Sequence, residues 1–288
     1  MSSEWKADQF TRLAALIGHP IDQSPSPIMH NEAFRVSCIN AVYLAFDVPP
    51  AFLKSVVSGM RAMNALGFNV TIPHKVAALD LLDESDQLVK DVGAVNTVVN
   101  QNGTLKGYNT DVVGIIAAFD RNGVSVDGSS ALVIGAGGAA RACLTALSAK
   151  GCKKFHIANR TLHRAKSLAK EFSHKYGIEC SAVNQGPTAI SEASKSSDIV
   201  LNATPVGAYP GVEECVLPRE YLRPDLIVFD VVYKPIRTKL IDEASKAGAK
   251  VVTGLEMLVE QGAATFKLWT GRDPPRQIMR RAVESVLS

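Results

Sequence analysis

A chain of 288 residues, 47% hydrophobic and 20% charged, has the composition of an ordinary globular protein, with length for one large core or two modest ones. Its 31 basic and 28 acidic side chains leave +3, which argues against nucleic-acid or membrane partners and suits small anionic ligands. No apolar run spans a membrane, Met1-Ser2-Ser3-Glu4-Trp5-Lys6 lacks a signal-peptide core, and the five dispersed cysteines form no CxxC pair, so a cytoplasmic protein without disulfides or zinc is expected.

Leu13 to Gly18 reads as a buried strand, and Ser24-Pro25-Ser26-Pro27-Ile28-Met29-His30-Asn31 opens a helix with Ser26 as N-cap and Pro27 first in the helix. Two hydroxyls and free amides at a helix start make a seat for a carboxylate, although capping alone accounts for Ser26. His30 is expected as a hydrogen-bonded structural histidine. Ala41 to Val48 is a second strand and Pro50 to Met63 a helix.

Gly67-Phe68-Asn69-Val70-Thr71-Ile72-Pro73-His74-Lys75-Val76 runs from strand into helix, which places Lys75 in a first helical turn. A cation there is opposed by the helix dipole, which suits proton transfer; a surface lysine whose stem bends to water is the other reading. Gly93 to Asn100 predicts a strand, turned by Asn102-Gly103 into a hairpin with Thr104 to Tyr108. Asn96, an amide inside an apolar run, belongs to a polar network or touches a ligand. Asp111 starts the helix Val112 to Asp120, where it complements the dipole.

Ser130 to Ile134, the turn Gly135-Ala136-Gly137-Gly138-Ala139 and a helix through Leu147 form a strand, tight turn and helix. Gly135 and Gly137 allow the sharp bend and the close approach of a pyrophosphate to the helix amides; Ala140 stands at the third fingerprint position. The next strand, Lys154 to Asn159, ends where a carboxylate would hold the ribose of NAD, but its tip reads Asn159-Arg160-Thr161 with Arg164 close by. Two guanidiniums and no acid favour the 2′-phosphate of NADP over a plain solvated helix start.

Ser197 to Asn202 and Leu226 to Val232 are further buried strands, and their alternation with helices calls for a parallel, doubly wound sheet with Thr204 just past a strand's carboxyl end. Thr238 to Ala247 is helical and Lys250 to Thr253 a short strand. From Leu255, the residues Leu258, Val259, Ala263, Phe266 and Trp269 make one apolar stripe that Gln261 leaves, and Pro275 to Leu287 forms the last helix.

Taken together these stretches resemble the shikimate dehydrogenase family. The resemblance rests on Ser24-Pro25-Ser26-Pro27 with His30-Asn31, Asn69 to Lys75, Gly93-Ala94-Val95-Asn96-Thr97, Gly107-Tyr108-Asn109-Thr110-Asp111, the glycine turn, Asn159-Arg160-Thr161, Asn202-Ala203-Thr204, and Gly254 to Gly262. It implies an α/β architecture in which a doubly wound Rossmann-type NADP domain, residues 111–254, is inserted into a discontinuous α/β substrate domain, residues 1–110 completed by 255–288, with the active site in a cleft.

By the same resemblance Lys75 and Asp111 are the catalytic pair. Ser24 and Ser26, with Tyr233, hold the shikimate carboxylate, while Thr71, Asn96 and Gln261 bind ring hydroxyls. The implied NADP contacts are Gly135, Ala136, Gly137, Gly138, Ala139, Asn159, Arg160, Thr161, Arg164, Thr204, Val231, Gly254 and Met257. The implied enzyme is a metal-free NADP-dependent oxidoreductase of aromatic amino-acid biosynthesis, a monomer or homodimer reducing 3-dehydroshikimate to shikimate. A relative preferring quinate and a non-catalytic nucleotide sensor are the rival readings. Gln23 replaces a histidine, and Ala208 a methionine, that many relatives carry.

Overall fold

The computed structural model describes residues 7–21 and 24–287, so Gln23 lies outside the described residues. The chain divides into two compact units, Met1–Thr110 with Val259–Val286, and Asp111–Leu258 with Leu287–Ser288.

The first unit opens with β1 (Arg12–Gly18), α1 (Ser26–Val36), β2 (Ala41–Asp47), α2 (Leu53–Ala62) and β3 (Gly67–Val70). It continues with β4 (Glu84–Ser85), α3 (Gln87–Val92), β5 (Thr97–Gln101) and β6 (Thr104–Tyr108). Its six strands lie in the order β2-β1-β3-β5-β6-β4. The β1 strand pairs in parallel with β2 and β3, whereas β5 is antiparallel to both β3 and β6. The uninterrupted apolar run of β1 follows from burial on both faces of this sheet. Ala15 and Ile17 face a cluster with Val57, Met60, Phe68 and Val98. The hairpin between β5 and β6 turns on Asn102 and Gly103, both at positive φ as a primed turn requires.

Two expected elements change. Only Thr97 onward forms a strand in the stretch from Gly93; a short helix, α3, capped by the Asp86 side chain on the Val89 amide, ends at Gly93 in the left-handed conformation. Val76, Leu79 and Leu82 have helical spacing, but the segment is a 3-10 helix, Ala77–Leu81.

The second unit takes up α4 (Thr110–Arg121) from its second residue and then builds β7 (Ser130–Ile134), α5 (Gly138–Ala149), β8 (Lys154–Ala158), α6 (Leu162–Tyr176) and β9 (Glu179–Val183). After α7 (Pro187–Lys195) come β10 (Ile199–Asn202), β11 (Ile227–Asp230), α8 (Lys239–Lys246) and β12 (Lys250–Val252). The sheet order is β12-β11-β10-β7-β8-β9, and every pairing is parallel. Numbered within the unit this is 3-2-1-4-5-6, the doubly wound dinucleotide-binding order, with its switch point between β7 and β10. The chain then runs through α9 (Gly254–Thr270), whose residues from Val259 belong to the first unit, and α10 (Arg276–Leu287). Phe266 and Trp269 of α9 are buried in the first unit, where the Trp269 indole N–H donates to the Val98 carbonyl at 3.0 Å.

Candidate active site

In the first unit Ser24, Ser26, Thr71 and Lys75 follow the carboxyl ends of the adjacent parallel strands β1 and β3. Beyond β1, Ser24 and Ser26 lie in a turn leading to α1. Ser26 is the first helical residue and not the N-cap, which is Pro25; the Ser26 amide donates to the Ser24 hydroxyl at 3.3 Å instead. A proline at the cap has no side-chain acceptor to offer, so the neighbouring hydroxyl takes that part. Ser26 is buried and Ser24 half-buried.

Beyond β3, the Thr71 amide donates to Ile17 O and the His19 amide to Ile72 O, both at 2.9 Å, which ties this turn to the end of β1. Lys75 sits in the turn before the 3-10 helix and not in a helical first turn, so the dipole opposition expected of it does not arise. Its carbonyl accepts from the Val95 amide at 2.8 Å, and its buried neighbour His74 is bound to the Val48 carbonyl at 2.6 Å.

Asn96 follows Val95 and is 3% exposed. Its Oδ1 accepts from the Thr110 amide at 2.7 Å, and its Nδ2 donates to the Thr110 hydroxyl at 2.9 Å. Residues 95 and 96 therefore hold the peptides of Lys75 and Thr110 together. Gln261, half-buried, is on α9 in the same unit. His30 departs from expectation: it is wholly buried with neither ring nitrogen hydrogen-bonded, and stacks on Tyr43 at 4.6 Å and 11°. Burial pushes its pKa down to about 3.

In the second unit the glycine turn follows β7. Gly135 has φ +125°, and a Cβ there would lie 2.8 Å from the Ala203 carbonyl oxygen, so this turn and the Thr204 turn meet across the switch point only because residue 135 has no side chain. A Cβ on Gly137 would meet no atom within 4 Å. The α5 helix starts with Gly137 at the cap, no capping side chain and no acid in its first turn; Ala136, Gly138 and Ala139 complete this half-exposed turn. After β8, Asn159 Nδ2 donates to Thr161 O at 3.0 Å. Thr161 caps α6 by position without a side-chain bond, and Arg160 and Arg164 are exposed with no ion pair among the described residues.

Thr204 donates through its amide and its hydroxyl to Asn202 Oδ1, at 3.0 and 2.7 Å. Asn202 Nδ2 in turn donates to Asp230 Oδ1 at 3.0 Å. Asp230 also accepts from the Val232 amide and the Thr238 hydroxyl. Burial raises its pKa to about 6, against those three hydrogen bonds. Val231 and Gly254 are brought together, because a Cβ on Gly254 would lie 2.6 Å from the Val231 and Val232 carbonyl oxygens. Met257, three residues on, is buried, and Tyr233 is half-buried in the loop after β11. Asp111, 4% exposed, is in the first turn of α4.

Asp230, Asn69, Thr97, Thr110 and Thr265 are buried polar groups that sequence reasoning did not select. For all but Thr110, which stands between Asn109 and Asp111, the signal was the one that marks Asn96: a hydrogen-bonding side chain inside an apolar stretch.

Comparison with known proteins agrees along the whole length. Residues 16–98 match the shikimate dehydrogenase substrate binding domain, 118–225 the shikimate / quinate 5-dehydrogenase family and 254–284 the shikimate 5′-dehydrogenase C-terminal domain. A protein of Methanopyrus kandleri named shikimate dehydrogenase (NADP(+)) is 44% identical over 98% of both chains. A crystal structure of a shikimate dehydrogenase in complex with NADP+ is 40% identical, with a TM-score of 0.90 over 98% of both chains. The shikimate 5-dehydrogenase of Thermus thermophilus, in complex with NADP(H) and shikimate, is 36% identical with a TM-score of 0.85, over 96% of this chain and 100% of its own. The chain belongs to the shikimate dehydrogenase family.

Proposed function

We propose that this protein catalyses the reversible, NADP-dependent reduction of 3-dehydroshikimate to shikimate, with Lys75 and Asp111 as its catalytic pair. The observation that carries this reading is the bridge made by Val95 and Asn96, which bonds the Lys75 carbonyl at 2.8 Å and the amide preceding Asp111 at 2.7 Å. Both bonds lie within the first unit, whose last residue before the second unit is Thr110, the neighbour of Asp111.

The second unit fits NADP. The uncapped start of α5 and the open space at Gly137 suit a pyrophosphate, and the exposed guanidiniums of Arg160 and Arg164, without an ion pair among the described residues, suit a 2′-phosphate. Asn159, Thr161, Thr204, Val231, Gly254 and Met257 complete the proposed cofactor contacts. When bound, NADP supplies or accepts the hydride at the ring carbon of the substrate. Lys75 stabilises the alkoxide oxygen as an ammonium and passes it a proton, and the Asp111 carboxylate balances that charge. Ser24, Ser26 and Tyr233 hold the substrate carboxylate, and Thr71, Asn96 and Gln261 its ring hydroxyls. The division of labour follows the fold: the unit containing 1–110 takes the ring acid and the doubly wound unit takes NADP.

Among the described residues no helix is long and apolar enough to cross a membrane, and none of the five cysteines is in a disulfide. Both suit the proposed cytoplasmic location.

The test is an absorbance assay that crosses shikimate and quinate with NADP+ and NAD+. Shikimate with NADP+ is expected to give the highest kcat/KM; a higher value with quinate would assign the protein to ring acids of that type, and no reduction of either cofactor would overturn the reading. Lys75→Ala is expected to lower kcat by about 10² to 10⁴-fold, or roughly 3 to 5 kcal/mol, with NADPH affinity unchanged. Near-normal turnover in that variant removes Lys75 from the chemistry.

A further inference from the structure

The first unit buries a ring of three hydroxyls that the proposed chemistry does not use. Thr97, Thr110 and Thr265 form a closed triangle, with Oγ1 atoms 3.1 Å apart between 97 and 110, 3.0 Å between 97 and 265, and 3.1 Å between 110 and 265. All three residues are buried, with exposures of 0%, 2% and 0%.

Two asparagines feed donors into this ring, and the orientation of each is fixed by a main-chain group. The Thr110 amide only donates, so the Asn96 atom 2.7 Å from it is the oxygen, which turns Nδ2 toward the Thr110 hydroxyl. The Asn96 carbonyl only accepts, so the Asn69 atom 3.1 Å from it is Nδ2, which also reaches the Thr97 hydroxyl at 2.9 Å. The Tyr43 hydroxyl closes the far end by donating to Asn69 Oδ1 at 2.8 Å.

Four strands and helices meet at this ring, and Thr265 is its contribution from α9, one helical turn beyond Gln261. Cutting one hydroxyl leaves two others buried with a partner missing, and a buried network loses more than one bond's worth of order when it is half satisfied.

We infer that Thr265 is a positioning residue: its hydroxyl locks the Asn96 amide against the Thr110 peptide and sets Gln261 in register with them. The inference rests on the assignment of Lys75, Asn96 and Asp111 to the reaction, since residues 95 and 96 hold the backbone of the first and the peptide before the last.

Valine keeps the shape of threonine and removes only the oxygen. Thr265→Val is expected to lower kcat for shikimate oxidation about ten- to a hundredfold with KM for NADP+ unchanged, and Thr265→Ser to recover kcat to within about threefold. Amide exchange at Thr110, followed by NMR in the whole protein, is expected to accelerate by about tenfold in the valine variant and not in the serine variant. Wild-type kcat together with wild-type exchange in Thr265→Val overturns the inference, as does an equal loss in both variants. Should Thr265→Val not fold, Tyr43→Phe, which cuts the outer end of the same network, is expected to show the same pattern at about threefold, and an unchanged kcat and Thr110 exchange there overturns it. A wild-type protein inactive on shikimate overturns the functional reading alone, and Thr110 exchange then decides this one.

Discussion

His30 is the residue whose chemistry is most at odds with its surroundings. It lies between Tyr43, stacked at 4.6 Å, and Trp269 at 5.3 Å, with Phe34 beyond, and burial holds its pKa near 3 instead of 6.5. Below pH 6.5 the unfolded chain takes up a proton that the folded one refuses. The contribution of this site is whole above that pH and is lost toward pH 3 at about 1.4 kcal/mol per pH unit. Urea unfolding of His30→Phe, which keeps a ring in the aromatic box, is expected to show an acid limb shallower by that slope; equal limbs in variant and wild type would mean that the site does not titrate on unfolding. Asn96 shows what is legible at this scale: an amide between Val95 and Val98 in an apolar run needs partners, and it has them. His30 shows what is not, since nothing in its neighbours along the chain announces the Tyr43 and Trp269 rings, 13 and 239 positions away, that replace a hydrogen bond with a stack.

Elements bounded by strong local signals matched their sequence reading closely. The strand, glycine turn and helix from Ser130 to Ala149, and the Asn102-Gly103 hairpin, are set by φ values that few residues other than glycine and asparagine accept. The turn holding Lys75 reads as helix in the sequence because Val76, Leu79 and Leu82 repeat at helical spacing, which a short 3-10 segment shares, and α1 begins at Ser26 because Pro25 occupies the cap. The start of α6 carries the element-scale prediction. Its first turn has no acid, its cap makes no side-chain bond, and Arg160 and Arg164 stand exposed where the dipole disfavours cations. Arg160→Ala is expected to weaken NADPH by roughly 1.5 to 3 kcal/mol and to spare NADH, measured by fluorescence titration of each; equal losses would place the 2′-phosphate elsewhere.

At the scale of the molecule, the parallel sheet of the second unit was legible because its strands alternate with helices in sequence order, whereas the mixed sheet of the first was not. The placement of β5 between β3 and β6, antiparallel to both, comes from the long connection through the 3-10 segment and α3, which periodicity does not encode. NADP+ that binds the folded second unit alone must raise its stability: at about 100 times its Kd the gain is about 2.7 kcal/mol, or roughly 5 to 10 °C in Tm. Thermal scans with NADP+ and with NAD+ at the same concentration are expected to show the larger shift for NADP+, and identical shifts would remove the case for a 2′-phosphate clamp.

The first unit is discontinuous, and this sets an order of events during synthesis. Residues 111–258 make up a contiguous doubly wound unit and are all joined to the chain before Thr265, Phe266 and Trp269 are added. The first 110 residues emerge earlier still, yet the hydroxyl partner and the indole that finish their interior come from beyond the whole second unit. The segment made second is the first able to close its own core, and the nascent amino-terminal sheet waits for the carboxyl-terminal helices with Tyr43 and Asn69 still unsealed.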